Sequence, residues 1–370
     1  MTDEKQNKNL ICIIEPNEKH RAQLVSALKP YYNIVDFADG YDAIKALRSK
    51  VPSLILTCDD KGATGVGQFY TRLRDVPQLQ TTPVLHILSE ERKYIIKDYK
   101  DQGAKHSIYK PYMRSTLFNA ITHLMNKSVE EEWNELPEVQ REALQSSLGV
   151  FNGIADALMN GDTVEFTEVK SNCQSLVQAV ENNDFKSILA GVRNHDDYTY
   201  AHSMRVATLL TLLGHAAGFK NNDQLLLSSG GLLHDVGKMN IPHNILNKPG
   251  RLTDEEFEIM KSHVTETVDY LNTVDNIPKA VFIIAEQHHE KLDGTGYPYG
   301  LKGKDLNELA RMAAIVDVFS ALTDRRIYKP EMSAEKAMSI MTDEMCGGHL
   351  DPHYLKLFRT ILFDADVMST

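Results

Sequence analysis

Five short apolar runs constrain the first third of this chain: LICII, NIVDF, SLILT, PVLHIL and HSIYK recur between residues 10 and 110. Helix-patterned segments such as EKHRAQLVSALKPY and YDAIKALRSK lie between them. Short strands alternating with helices have one economical arrangement, a parallel sheet covered by helices on both faces. The functional surface of such a sheet lies beyond the carboxyl ends of its strands.

After residue 125 the pattern changes. Residues 128–190 carry apolar positions at helical spacing with solvated charges between them, interrupted by Pro137 and Gly161. From residue 195 onward YTYAHSMRVATLLTLLGHAAG, NDQLLLSSGGLLHDVGK, IPKAVFIIAEQHHEK and NELARMAAIVDVFSALTDRR read as helices. LTDEEFEIM opens another, with Thr253 as N-cap and Glu256 three residues on. The expected architecture is multidomain: a doubly wound α/β domain over 1–127, a helical connector over 128–190 and an all-α domain over 191–370, with the connector packed on the all-α domain. A chain of 370 residues accommodates this division.

A net charge of −11 argues against nucleic acid or an anionic membrane surface as partner, since both need a basic footprint. The four cysteines are scattered with no CxxC, so thiolate zinc and thioredoxin-type chemistry are not expected. The start is polar, and no run reaches the ~18 apolar residues of a membrane span. A soluble, cytoplasmic protein is expected.

The stretch GGLLHDVGKMNIP sets an imidazole, a carboxylate and an ammonium at the end of an apolar helix. Ten of the 14 histidines lie in this second half. His202, His234, His263, His288 and His289 sit on or at the ends of apolar helical runs, with Asp235 and Asp317 as companion carboxylates. Burying one histidine is ordinary; burying five requires a shared partner. A pair of divalent metals suits the set, because imidazole takes transition metals and a carboxylate such as Asp235 can bridge two of them. Such a pair activates water and stabilises the oxygens of an in-line phosphate displacement.

Lys238, one turn beyond His234, can grip a phosphate there, or lie on the surface. HHEKLDGTGYPYGLKGKDL, directly after the paired histidines, is rich in turn formers and can approach a ligand closely, with Tyr297 available to stack on a base. Arg326 and Lys329, just beyond the Asp317 helix, can bind a further phosphate or guanine edges.

Together these segments, ordered from HSMRVA through LLHDVGKMNIPHNILNKPGRLTDEEFEIMKSH and AEQHHEKLDGTGYPYGLKG to ARMAAIVDVFSALTDRRIYKP, resemble the HD-GYP family of bacterial phosphodiesterases over roughly 195–360. The resemblance implies an all-helical domain that hydrolyses cyclic di-GMP to pGpG, and in some members onward to GMP. Carried over by position, His202, His234, Asp235 and Asp317 would hold one metal, and Asp235, His263, His288 and His289 the other. Iron, manganese or nickel is implied. His234, Asp235 and Lys238 would be catalytic; Lys238, Arg326 and Lys329 would hold phosphate; Gly296, Tyr297 and Pro298 form the signature tripeptide at the substrate. Some members carry a glutamate four residues before the first ligand histidine, which helps hold a third metal; Tyr198 stands there, so two metals are expected.

Residues 10–125 resemble the receiver domain of response regulators, with Lys110-Pro111 at the place of its Lys-Pro pair. The acidic pair of the first strand is Glu15-Pro16, so a Mg²⁺-binding carboxylate is missing. Cys58 falls in the phosphoacceptor slot with Asp59 one residue later, and Ser89 or Leu88 falls in the hydroxyl position after the fourth strand. Asp59 accepts phosphate only if the strand is shifted by one residue. Otherwise the domain serves dimerisation or contact with a partner such as a sensor kinase. A sensor that binds nucleotide without turnover, and an HD phosphohydrolase on another cyclic dinucleotide, are the alternative readings.

Overall fold

A computed structural model describes residues 10–29, 31–58, 66–92, 106–160, 162–193, 195–246, 248, 250–324 and 332–364. The chain divides into two compact units, 1–129 and 130–370.

Among the described residues the first unit holds five strands: β1 (Leu10–Ile14), β2 (Asn33–Phe37), β3 (Leu54–Cys58), β4 (Val84–Ser89) and β5 (His106–Lys110). All adjacent pairs are parallel, in the order β2-β1-β3-β4-β5. This is the strand order of flavodoxin-like doubly wound sheets, whose topological switch point lies between β1 and β3. The near-continuous apolar strands have a direct cause: both faces of the sheet are buried. Ile11, Ile13, Leu54 and Leu56 pack with Leu24 and Leu28 of α1 (Glu18–Leu28) on one face. Cys12, Ile14 and Ile55 pack on the other with Ala43, Ile44 and Leu47 of α2 (Gly40–Leu47) and with Leu73 of α3 (Val66–Arg74). Helix α4 (Arg114–Glu132) follows β5.

In the second unit the described residues form helices and turns, with a single isolated bridge between Cys346 and Leu350. Helices α5 (Glu138–Asn160), α6 (Phe166–Asn172), α7 (Gln174–Glu181) and α8 (Phe185–Val192) precede the central pair, α9 (Tyr198–Ala216) and α10 (Asn222–Leu233). α5 packs on α7 and α8, and these pack on α9. Then come α11 (Asp254–Thr273), α12 (Lys279–Gln287), α13 (Glu308–Thr323), α14 (Ala334–Ile340) and α15 (Pro352–Asp364). Thr253 and Glu256 form the expected capping box on α11.

One apolar core joins Val206, Leu209, Leu210 and Leu213 of α9 to Leu227, Ile284, Ile315, Phe319 and Phe358. α9 is buried over most of its length, so it reads as apolar nearly all round. Gly231 lets α10 cross α9 closely: a Cβ there would lie 2.7 Å from Cα of Ala207. That crossing brings the end of α10 beside the first turns of α9. Among the described residues, no helix is long and apolar enough to cross a membrane.

Candidate metal centre

Five helices bring the site together. Asp197 caps α9, accepting a hydrogen bond from the Tyr200 amide, and His202 follows on its buried side. α10 ends at Leu233, His234 caps it, and Asp235 leaves helical geometry at φ −116° and ψ 11°. The tight turn Val236–Asn240 then folds Lys238 back onto Asp235. Gly237 is required here, since a Cβ would meet the His263 carbonyl at 2.2 Å. α11 supplies His263, the end of α12 supplies His288 and His289, and α13 supplies Asp317. This is why residues as far apart in sequence as His202 and Asp317 form one cluster.

Asp235 lies at its centre, wholly buried. Its Oδ2 is 3.4 Å from Nε2 of His202 and 3.1 Å from Nε2 of His234. Its Oδ1 is 3.2 Å from Nε2 of His263 and 3.8 Å from Nε2 of His288. Asp317 approaches His202 at 3.0 Å, His234 at 3.8 Å and His289 at 3.7 Å. Two groups of donor atoms result, each spanning no more than 4.8 Å: His202, His234, Asp235 and Asp317, and Asp235, His263, His288 and His289. They share Asp235. All seven residues singled out from the sequence are present.

The donor chemistry fits a cation. Nδ1 of His234, His263 and His288 lies 2.7, 2.6 and 2.9 Å from the carbonyl oxygens of Gly231, Met260 and Ala285. A carbonyl only accepts, so each Nδ1 donates, and each Nε2 is the ring nitrogen left to face Asp235. Those three Nε2 atoms and Asp235 Oδ1 are buried without a hydrogen-bond partner. Lone pairs facing a carboxylate in a dry interior repel unless a positive charge lies between them. Without an ion, protons and Lys238 take that role. Burial disfavours charge on His202, yet Tyr198 and the carboxylates of Asp235, Asp317 and Asp324 outweigh it and raise its pKa well above the ordinary value. Burial also works against an ionised Asp235, but His234 and Lys238 hold its carboxyl well below the usual range. His288 and His289 are pushed down chiefly by burial, His289 to about 3, so both offer neutral rings.

Several supporting residues gave no signal in the sequence. Asp324 accepts from Nδ1 of His202 at 2.8 Å, and Arg205 reaches Asp324 at 3.4 Å and Thr323 Oγ1 at 3.0 Å. Glu290, buried, accepts the amides of Tyr299 and Leu301 at 2.7 and 2.9 Å and so ties down the loop after the paired histidines. Gly296 passes so close to that backbone that a Cβ would meet Glu290 Cα at 2.5 Å. Tyr297 stands over His289 with ring centroids 4.7 Å apart, and Pro298 follows. Tyr297 also meets exposed Phe257 of α11, and Lys261 lies within 6 Å of both ring centroids. Tyr198 stacks on His202 at 5.7 Å. Lys238 lies beside the centre but is paired with Asp235. Arg326, Lys329 and Asp59 fall outside the described residues.

Residues 189–354 match the family model described as HD domain. The chain is 40% identical over 172 residues to a cyclic di-GMP phosphodiesterase of Pseudomonas aeruginosa, covering 46% of this chain and 41% of that one. It is 40% identical over 154 residues to a 3'3'-cGAMP-specific phosphodiesterase of Vibrio cholerae, covering 42% and 36%. It is 27% identical over 336 residues to a cyclic di-GMP phosphodiesterase response regulator of Xanthomonas campestris pv. campestris, covering 90% and 82%. The chain thus spans less than half the length of the first two.

Proposed function

We propose that this chain is a metal-dependent phosphodiesterase that hydrolyses cyclic di-GMP to pGpG, pGpG to GMP, or both, in bacterial second-messenger signalling. One observation carries the reading: a buried carboxylate, Asp235, is shared by two groups of donors whose Nε2 atoms converge on it. The relatives' names and the HD domain match support the same reaction class. The seven residues would hold two divalent ions, iron, manganese or nickel. Such ions supply an activated water and offset charge on the phosphoryl oxygens.

The chain's own groups do the rest. Lys238, paired with Asp235, would be placed to bind a substrate phosphate if Asp235 were engaged by metal. Arg326 and Lys329 hold the far phosphate. Glu290 and Gly296 set the loop that carries Tyr297, and Tyr297 orients a base beside His289. Asp324 fixes the ring of His202. The first unit is read as a receiver-like module for dimerisation or partner contact, with phosphorylation at Asp59 a lesser role.

The 40% identity to a 3'3'-cGAMP-specific enzyme favours one second reading, a mixed cyclic dinucleotide as substrate. A chromatographic time course with cyclic di-GMP, 3'3'-cGAMP and pGpG, in Mn²⁺ or anaerobic Fe²⁺, separates these. Turnover that vanishes in a His234→Ala, Asp235→Ala double variant is the expected result, and the fastest substrate assigns the reaction. Failure of all three with metal bound overturns the phosphodiesterase reading for these nucleotides.

A further inference from the structure

A second group of donors lies in the first unit, independent of the HD-type centre. Glu15 follows β1, Cys58 ends β3, and His20 sits in the first turn of α1. One ligand atom from each lies within 4.8 Å of the others. Glu15 is wholly buried and Cys58 nearly so, at 2% exposure. Their place is the switch point between β1 and β3, where doubly wound sheets of this strand order take their ligands.

The surroundings hold the donors in place. The Asn17 amide donates to Oε1 of Glu15 at 2.9 Å, leaving Oε2 toward His20 Nδ1. Asn17 also caps α1 by accepting from the His20 amide at 2.9 Å, which fixes where the imidazole starts. Nε2 of His20 is 3.3 Å from the Tyr112 hydroxyl. Lys110, at the end of β5, brings its ammonium 3.3 Å from His20 Nδ1 and 3.7 Å from Glu15 Oε2. Lys110 is 36% exposed, so it can withdraw to solvent when another cation takes its place.

We infer that Glu15, His20 and Cys58 form a binding site for a divalent transition metal of the zinc type. A thiolate, an imidazole and a carboxylate make a borderline-soft set that suits Zn²⁺ and disfavours Mg²⁺. Three protein donors leave one position of a tetrahedral shell for water or an added ligand. Binding displaces the thiol proton and the Lys110 contact, and no electron transfer is involved. The unit then responds to metal at the position where its fold takes ligands.

The test uses the full-length, reduced, metal-stripped chain titrated anaerobically with Co²⁺. Only a thiolate ligand gives the near-ultraviolet sulfur-to-cobalt charge-transfer band, and the seven residues of the other centre include no cysteine. The expected result is a band that saturates, is abolished by Zn²⁺, is lost in Cys58→Ser, and needs about tenfold more Co²⁺ in His20→Ala. It should persist in Cys346→Ser and in Asp235→Asn, which separates it from the proposed phosphodiesterase centre. No band in the wild-type chain, or a band that survives Cys58→Ser, overturns the inference and leaves a closed Glu15–His20–Lys110 ion-pair network. Should Cys58→Ser fail to fold by circular dichroism, the His20→Ala titration decides: unchanged affinity overturns it.

Discussion

Oδ2 of Asp324 lies 2.8 Å from Nδ1 of His202, while Oδ1 of Asp317 lies 3.0 Å from the other ring nitrogen. The imidazole is therefore fixed from behind by a carboxylate that stands outside both donor groups. Such contacts set the tautomer and raise ligand basicity, and losing one typically costs about 10–100-fold in metal affinity or activity. Asp324→Ala should weaken metal binding by that factor and leave the helical circular dichroism spectrum intact. Equal metal affinity in wild type and variant would sink the assignment.

The sharing of Asp235 predicts a difference in stoichiometry. Its two oxygens face different imidazoles, Oδ2 toward His202 and His234 and Oδ1 toward His263 and His288. On the proposed two-ion reading, Asp235→Asn should therefore lose both ions and reduce turnover by on the order of 10³-fold. His263→Ala should lose one ion and retain the other. Metal analysis after gel filtration reads this directly; loss of both ions in His263→Ala would show that the two groups do not act separately.

The grouping of seven potential donors was legible because imidazoles and carboxylates at the ends of apolar helices need a shared partner, and the loop Gly296–Tyr297 was legible from its turn formers. The five strands were legible because a sheet buried on both faces needs runs such as LICII. Asp324 and Arg205 were not, since nothing in a single carboxylate or guanidinium says that it will fold against a histidine 122 positions away, as Asp324 does. Glu290 gave no signal either, yet it is buried and accepts two backbone amides. Gly237 and Gly231 gave no warning either, because their role depends on which helix passes beside them.

Gly237 carries a stability prediction. A Cβ there would lie 2.2 Å from the His263 carbonyl and 2.6 Å from the Thr267 amide nitrogen, both backbone atoms of α11. The Gly237 amide also donates to Thr267 Oγ1 at 2.9 Å. Gly237→Ala must push the turn away from α11, at a cost of about 1–3 kcal/mol for overpacking. Denaturant unfolding followed by Trp133 fluorescence, which reports the second unit, should show the loss. A midpoint equal to wild type would contradict the packing described.

Phe257 and Tyr297 meet edge to face, with ring centroids 6.3 Å apart, and Phe257 is 46% exposed. Stacking of a base on an aromatic side chain contributes about 1–3 kcal/mol. Phe257→Ala should raise KM for the dinucleotide by about 5- to 150-fold, with kcat and bound metal little changed. A fall in kcat at constant KM would instead place Phe257 in the support of the metal centre.

His86, on β4, gives the first unit a pH dependence. Burial lowers its pKa from 6.5 to about 4, and its Nε2 meets the Tyr70 hydroxyl. Between those values the unfolded chain binds a proton that the folded chain does not, so stability is full above pH 6.5 and declines as pH falls toward 4. Going from pH 7 to pH 5 should cost about 2 kcal/mol through this group. Hydrogen exchange of the β4 amides, corrected for intrinsic rates, measures the loss locally. His86→Gln should remove that share of the pH dependence while other titrating groups keep theirs. An identical pH profile in the variant would mean that His86 takes up its proton without disturbing the sheet.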